Sequence, residues 1–197
     1  MYPKSIKNLI ESFKYFQGIG EKTAERLAFS VLSMEEEQIN NLSESLKNAK
    51  KNIKRCKICN NLSENDICDI CNDKTRNHDL ICLVEDPKTV FSIEKLGTYN
   101  GYYHVLNGLI SPIEGVNPED LNIASLLNRI NEDVKEVVIA LNPSIEGEVT
   151  SMYIQKILEK KDIKVSRLSY GIPMGSDIEY LDPIMMSKAL EDRKVIS

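Results

Sequence analysis

The sequence predicts an α/β protein made of a helical N-terminal arm, a four-cysteine metal site, a mostly parallel sheet with helices on both faces, and a short C-terminal segment. Three observations predict it. Apolar residues recur at helical spacing through the first 55 positions, two Cys-x-x-Cys pairs lie between Cys56 and Cys71, and continuous apolar runs alternate with helical patterns from about residue 79 onward. The expected divisions are 1–55, 56–78, 79–168 and 169–197. With 197 residues, 42% hydrophobic and 28% charged, the chain has the composition of an ordinary globular protein.

No run approaches the roughly 18 apolar residues of a membrane span, and Met1 to Asn8 has no apolar signal-peptide centre. A cytoplasmic protein without a membrane partner is expected. Five cysteines, four of them in metal-ligand spacing, fit a reducing compartment rather than a disulfide framework. The charge is uneven. The first 60 residues carry 11 Lys and Arg against 7 Glu and no Asp, a balance of +4, which leaves −9 for the remainder of a chain whose total is −5. A basic arm on an acidic body suggests two surfaces with different partners, one of them a polyanion.

In the arm, Ile6, Leu9, Ile10 and Phe13 share one helical face, and a second helix is expected from Glu21 to Leu32. Between them runs Phe16-Gln17-Gly18-Ile19-Gly20-Glu21-Lys22-Thr23-Ala24. Two glycines just before a helix allow a tight turn whose N–H groups point outward beside the helix N-terminus, where a phosphate can sit. Lys22 and Arg26, four apart, add two cations on one face. The pattern resembles the helix-hairpin-helix motif, which grips the DNA backbone without reading sequence. An ordinary helix connection with glycines for compactness is the competing reading. A P-loop is excluded, because the Gly-x-x-x-x-Gly spacing before Lys is missing and no strand precedes the turn. Ser33 with Glu36 reads as a capping box opening a third helix to about Arg55. Its basic end, Lys47, Lys50, Lys51, Lys54, Arg55 and Lys57, reads either as a solvated face or as an extension of the nucleic-acid surface.

Cys56/Cys59 and Cys68/Cys71, eight residues apart, offer four sulfurs in the closed geometry of structural zinc, one ion per chain. With four thiolates no position is open for a catalytic water, and Asn60 to Ile67 has no base-reading helix. His78 lies seven residues past the last cysteine, outside ligand spacing, and Cys82 sits in an apolar run as buried packing.

Beyond the cysteines, strands are expected at 80–84, 102–106, 136–141 and 164–168, with helices at 87–96, 118–130 and 148–160. Continuous apolar strands between helices mean a parallel sheet covered on both faces, with ligands at the strands' carboxyl ends. Two acidic features fall there: Val84-Glu85-Asp86 after the first strand and Asn142-Pro143-Ser144-Ile145-Glu146-Gly147-Glu148 after the third. The arrangement resembles a Toprim domain, with its glutamate after the first strand and Asp-x-Asp after a later one. Asn142 and Ser144 stand where the aspartates would be, which removes two charges from a Mg²⁺ site. Glu85, Glu146 and Glu148 remain as an acidic patch, each also readable as helix N-terminal charge. The tail from Leu168 to Asp182, glycine-interrupted, leads to a short helix at 183–190.

Taken together, the hairpin string Gly18 to Ala28, the paired cysteines, Asn142 to Glu148 with Thr150, and Tyr170 to Tyr180 with its Gly-x-Pro-x-Gly run resemble the RecR family of recombination mediators over essentially the whole chain. The resemblance implies a non-enzymatic DNA-repair protein that works with RecO and RecF to load RecA onto gapped or single-stranded DNA, and that assembles as a homodimer or a ring-like homotetramer able to encircle duplex. Carried onto this chain, Gly18, Gly20, Lys22 and Arg26 would contact DNA phosphates, the four cysteines would bind zinc, and Glu85, Asn142 and Glu146 would form the surface that meets RecO. The alternative is a Mg²⁺-dependent Toprim nuclease or topoisomerase-like enzyme, against which Asn142 and Ser144 argue. A zinc-stabilised transcription regulator would need a recognition helix that the sequence lacks.

Overall fold

A computed structural model describes residues 2–161, 163–169, 171–193 and 195, and the chain divides into two compact units, Met1–Ile53 and Lys54–Ser197. Tyr170, within the tail string, lies outside the described residues.

The first unit consists of α1 (Lys4–Phe13), α2 (Glu21–Leu32) and α3 (Glu36–Asn52). The apolar face of α1 packs on α2 where α2 presents only alanines: Ile10, Ala24 and Ala28 are buried, with Ile6, Leu9, Phe13 and Ile19 around them. Small residues on one helix let the other approach closely, so a hairpin with a very small core still excludes water. Helix α3 buries no side chain. Its start differs from the expected box at Ser33 and Glu36. Ser33 ends α2, its hydroxyl donating to the Ser30 carbonyl at 2.8 Å, while Glu35 and Gln38 form the capping box, the Glu35 N–H donating to Gln38 Oε1 at 3.0 Å. Its end also differs, because Ile53 is extended and the next residues leave the helix for a strand.

The second unit begins with a ribbon of β1 (Lys54–Arg55) and β2 (Leu62–Ser63), antiparallel, followed by α4 (Asp69–Asn72). Then come β3 (Asn77–Val84), α5 (Pro87–Glu94), β4 (Gly101–Val105), α6 (Ile123–Arg129), β5 (Glu136–Ala140), α7 (Ile145–Leu158), β6 (Lys164–Arg167) and α8 (Pro183–Glu191). The four longer strands form one parallel sheet in the order β4-β3-β5-β6. Alternation along β3 feeds two cores. Ile81 and Leu83 join Leu126 of α6 with Ile154 and Leu158 of α7 on one face, and Cys82 and Val84 join Val90 of α5 and Tyr103 on the other. The carboxyl-terminal half of β3, with β4 and β5, is buried on both faces because both are covered, whereas the edge strand β6 (Lys-Val-Ser-Arg) buries no residue fully. The helix expected over 118–130 is split: a 3₁₀ turn at Pro118–Asp120, closed by Asn117 and Asp120, gives way to an extended Leu121 before α6.

A buried and a half-buried polar cluster tie the layers. His104, fully buried on β4, has Nδ1 3.0 Å from Arg129 Nη1 and Nε2 2.8 Å from the Asn122 carbonyl. Arg129 donates to Nδ1, so Nε2 carries the proton and the ring is neutral. Burial, aided by the Arg129 charge, holds its pKa down to about 4. Arg76 forms a bidentate pair with Glu94 and donates to the Gly101 carbonyl at 3.0 Å, while Tyr103 Oη donates to Glu94 Oε1 at 2.7 Å. Among the described residues no helix is long and apolar enough to cross a membrane.

Candidate metal centre and nucleic-acid interface

The cysteines sit on two tight turns. After β1, the Cys56 N–H donates to the Asn61 carbonyl at 2.8 Å and the Asn60 N–H to the Cys56 carbonyl at 3.0 Å, a turn closed by Asn60 at φ +63°, a conformation that Asn tolerates better than most residues. Cys68 is the N-cap of α4, which carries Cys71 one turn on. The four sulfurs all lie within 4.8 Å of one another, with Cys59 and Cys68 at 3.6 Å. Four thiolates on one tetrahedral zinc at about 2.3 Å are about 3.8 Å apart, so the residues fit the ion. The Cys68 N–H points at Cys56 Sγ, 3.3 Å away, a donor suited to a thiolate.

The thiols cannot all ionise unaided. The hydrogen bond between Cys59 and Cys68, with burial, pushes the Cys59 thiol up, while the hydrogen bonds from Cys59 and Cys71 hold the Cys68 thiol down. Zinc, when bound, supplies the positive charge that keeps all four ionised and locks both turns. Since sulfur fills every position, the centre is structural. It is fastened to the sheet: the Val105 N–H donates to the Cys59 carbonyl at 2.8 Å, Arg55 Nη2 to Asn107 Oδ1 at 2.6 Å, and Ile70 packs on both the cysteines and the Cys82–Tyr103 core.

The hairpin offers a different chemistry. Gly18 takes φ +81°, which glycine adopts without strain, and Gly20 is the N-cap of α2, with no side chain to satisfy the first-turn donors. The N–H groups of Gly18 and Gly20 make no hydrogen bond among the described residues. Lys22 and Arg26 are exposed and have no ion-pair partner among the described residues, whereas Lys14 is held between Glu11 at 3.0 Å and Glu21 at 2.8 Å. Free donors beside two free cations can hold a phosphate.

The basic end of α3 is less uniform than its sequence. Lys47 pairs with Glu44, and Lys54 and Lys57 both converge on Asp66 at 2.6 Å, holding its carboxyl down to about 2. Lys50 and Lys51 alone of that run remain exposed with no partner among the described residues. Asp66 carried no signal in the sequence beyond being, with Glu64, one of two acids in the cysteine loop.

At the carboxyl ends of the strands, Glu85 and Asn142 meet: Asn142 Nδ2 donates to Glu85 Oε2 at 2.7 Å. Ser144 caps α7 by accepting from the Gly147 N–H at 3.1 Å. Glu146 is half-buried on the first turn, its carbonyl accepting from Thr150 Oγ1 at 2.6 Å, and Thr150 in turn accepts from the Ile110 N–H at 2.9 Å. Glu148 pairs with Arg167 at 3.3 Å and Lys188 at 3.9 Å. Among the described residues, the cysteines are the one group of three or more side chains placed to share a metal, so Glu85, Glu146 and Glu148 do not gather into a second. In the tail, Gly175 has φ +85°, and Asp182 caps α8 through the N–H groups of Ile184 and Met185 at 2.8 and 3.2 Å.

A helical hairpin with unpaired N–H groups beside two exposed cations, a closed thiolate zinc centre and a Toprim-type sheet with an incomplete carboxylate set point to a zinc-containing protein of nucleic-acid metabolism. Comparison with known families sharpens this. Residues 6–50 match the RecR helix-hairpin-helix, 53–73 the RecR four-cysteine zinc finger domain, 79–169 the Toprim domain and 171–194 the RecR C-terminal region. The four follow one another in RecR order over nearly the whole chain, and the chain belongs to the RecR family, with a recombination-mediator role in DNA repair.

Proposed function

We propose that the protein is a non-enzymatic, cytoplasmic recombination mediator that binds single-stranded, duplex or gapped DNA and acts with RecO and RecF to load RecA. Gly18, Gly20, Lys22 and Arg26, in an arm spanning about 1–55, hold phosphates. Glu85, Asn142 and Glu146, in a Toprim-like domain spanning 79–168, form the RecO surface. The observation that carries this reading is the Asn142–Glu85 hydrogen bond. A neutral amide occupies the carboxylate where a Toprim enzyme would need two further acids to hold Mg²⁺. The carboxylate is left as a fixed, outward charge suited to a basic protein partner.

Assembly as a homodimer or ring-like homotetramer is supported by exposed large apolar side chains in each unit. Phe29, Leu32, Leu42, Leu46 and Ile53 are exposed in the first, and Met174, Ile178, Tyr180 and Ile184 in the second. Two distinct self-complementary patches close a tetramer, whereas one stops at a dimer.

The test is RecA filament assembly on gapped DNA coated with single-strand-binding protein, in the presence of RecO. The wild type accelerates assembly, and Glu146→Lys loses RecO capture and acceleration while retaining DNA binding. Incubation with supercoiled plasmid and Mg²⁺ leaves the plasmid intact. Reproducible nicking that disappears in Glu85→Ala would replace the mediator reading with the enzyme one.

A further inference from the structure

The tip of the α1–α2 hairpin carries two aromatic rings that the phosphate-binding role leaves unused. Tyr15 is 87% exposed and Phe16 55% exposed. Tyr2 and Phe29 pair with each other at 5.7 Å, but neither Tyr15 nor Phe16 has a ring partner among the described residues. Adjacent bare aromatics on a polar loop are costly to leave in water and ask for an occupant.

The backbone that carries the rings is held in place. The N–H of Tyr15 donates to the Ser12 carbonyl at 3.3 Å, that of Phe16 to the Phe13 carbonyl at 3.2 Å, and that of Ile19 to the Phe16 carbonyl at 3.1 Å. Ile19 is anchored against the buried Ile10, Ala24 and Ala28, and Lys14 bridges Glu11 of α1 and Glu21 of α2. The backbone of the tip is therefore tied at both ends, so binding need order little beyond the rings.

The occupant follows from what adjoins them. Tyr15 is three residues from Gly18, so their α-carbons are at most about 11 Å apart, the rise of about three stacked nucleotides at 3.4 Å each. A strand whose phosphate rests on the Gly18 and Gly20 N–H groups thus has its neighbouring bases within reach of the rings. A paired base offers no free face, since it is stacked inside the duplex, while an unpaired one does, and base–aromatic stacking tolerates any sequence. A second copy of this chain is less suited, because the exposed residues around the rings are Glu11, Ser12, Lys14 and Gln17 rather than aliphatic.

We infer that Tyr15 and Phe16 form a stacking platform for an unpaired nucleobase, so that the hairpin prefers a gap edge or single strand over continuous duplex. This rests on the reading of the hairpin as the DNA-binding element, which the experiment tests separately.

The measurement is fluorescence anisotropy of the full-length, zinc-loaded protein on a blunt duplex, a single strand and a gapped duplex, with a second gapped duplex carrying 2-aminopurine at the gap edge. In the Tyr15→Ala/Phe16→Ala variant, affinity for gapped and single-stranded DNA falls by about fivefold or more, the scale of one lost stack. Blunt-duplex affinity changes by less than about twofold, within the effect of an exposed substitution. Quenching of 2-aminopurine is seen with the wild type and with Tyr15→Phe, and is lost in the double variant. Equal loss on every DNA, no loss on any, or changed assembly by light scattering with quenching intact would each overturn the platform. If Lys22→Ala/Arg26→Ala binds all the DNAs normally, the hairpin reading itself falls. If that variant loses all of them while Tyr15→Ala/Phe16→Ala binds like the wild type, the platform alone falls.

Discussion

Alanine at Gly147 places its methyl carbon 1.9 Å from the Asn142 carbonyl oxygen and 3.5 Å from Ser144 Oγ. A carbon and a carbonyl oxygen rest at about 3.3 Å or more, so backbone must give by over 1 Å. Asn142 is not free to retreat: its oxygen accepts from the Ser144 N–H at 2.8 Å and its amide donates to Glu85 at 2.7 Å. Overpacking of this kind costs about 1–3 kcal/mol, and each hydrogen bond given up adds about 1 kcal/mol. Alanine returns about 1 kcal/mol of helix preference. The expected net loss is about 2–4 kcal/mol, a fall in Tm of about 5–15 °C for a chain of this size. RecO capture should fall too, because the Asn142–Glu85 corner moves. Thermal unfolding followed by circular dichroism reads the first effect and co-purification the second. The internal control is Gly20→Ala, where φ is −88° and nothing lies within 4 Å of the added carbon. That variant keeps its Tm yet binds DNA less well, since the methyl shields the free N–H groups. A Gly147→Ala protein as stable as the wild type would refute the close-approach argument.

Replacing Lys22 and Arg26 by alanine should weaken DNA binding on every sequence and reduce the slope of log K against log salt by about 1.8 per protomer on duplex, from about 0.9 per phosphate contact. An unchanged slope removes these cations from the interface. His104, neutral in the fold with its pKa near 4 against 6.5 for the free side chain, takes up protons first in the unfolded chain. Its contribution is therefore full above about pH 6.5 and declines as the pH falls toward 4, by about 1.4 kcal/mol per pH unit. Tm measured between pH 7 and 4.5 should show this slope, and His104→Gln should flatten it. Chelation of zinc, or Cys71→Ser, should lower Tm with release or loss of one ion per chain. A metal-free protein with unchanged Tm would show that the cysteine turns hold without it.

The features legible in the sequence were those written in local spacing. Two Cys-x-x-Cys pairs mark their turns by spacing alone, and an apolar run as short as Leu80 to Val84 reads as a strand covered on both sides. What the sequence concealed depends on partners far along the chain or on competition between neighbours. Ser33 and Glu35 are both able to cap, and Glu35 prevails because Gln38 returns the bond. Lys54 and Lys57 read as part of a basic run, but folding brings Asp66 between them. His104 lies within an apolar strand and acquires its meaning only when Arg129 and Asn122 arrive from α6 and the turn before it.

Asn142 and Ser144 illustrate the same limit from the opposite side. In the sequence they are absences, two acids fewer than a Toprim metal site requires. In the fold each makes a positive contribution, since the Asn142 amide fixes the Glu85 carboxylate, and the Ser144 hydroxyl caps α7 so that Gly147 can lie against the Asn142 carbonyl. Aspartates at both positions would set further negative charge beside Glu85, and without a cation the corner would repel itself apart. With a neutral amide and a hydroxyl the corner is stable without metal. The RecO surface proposed for this corner would gain more from such a fixed geometry than from a loose cluster of acids.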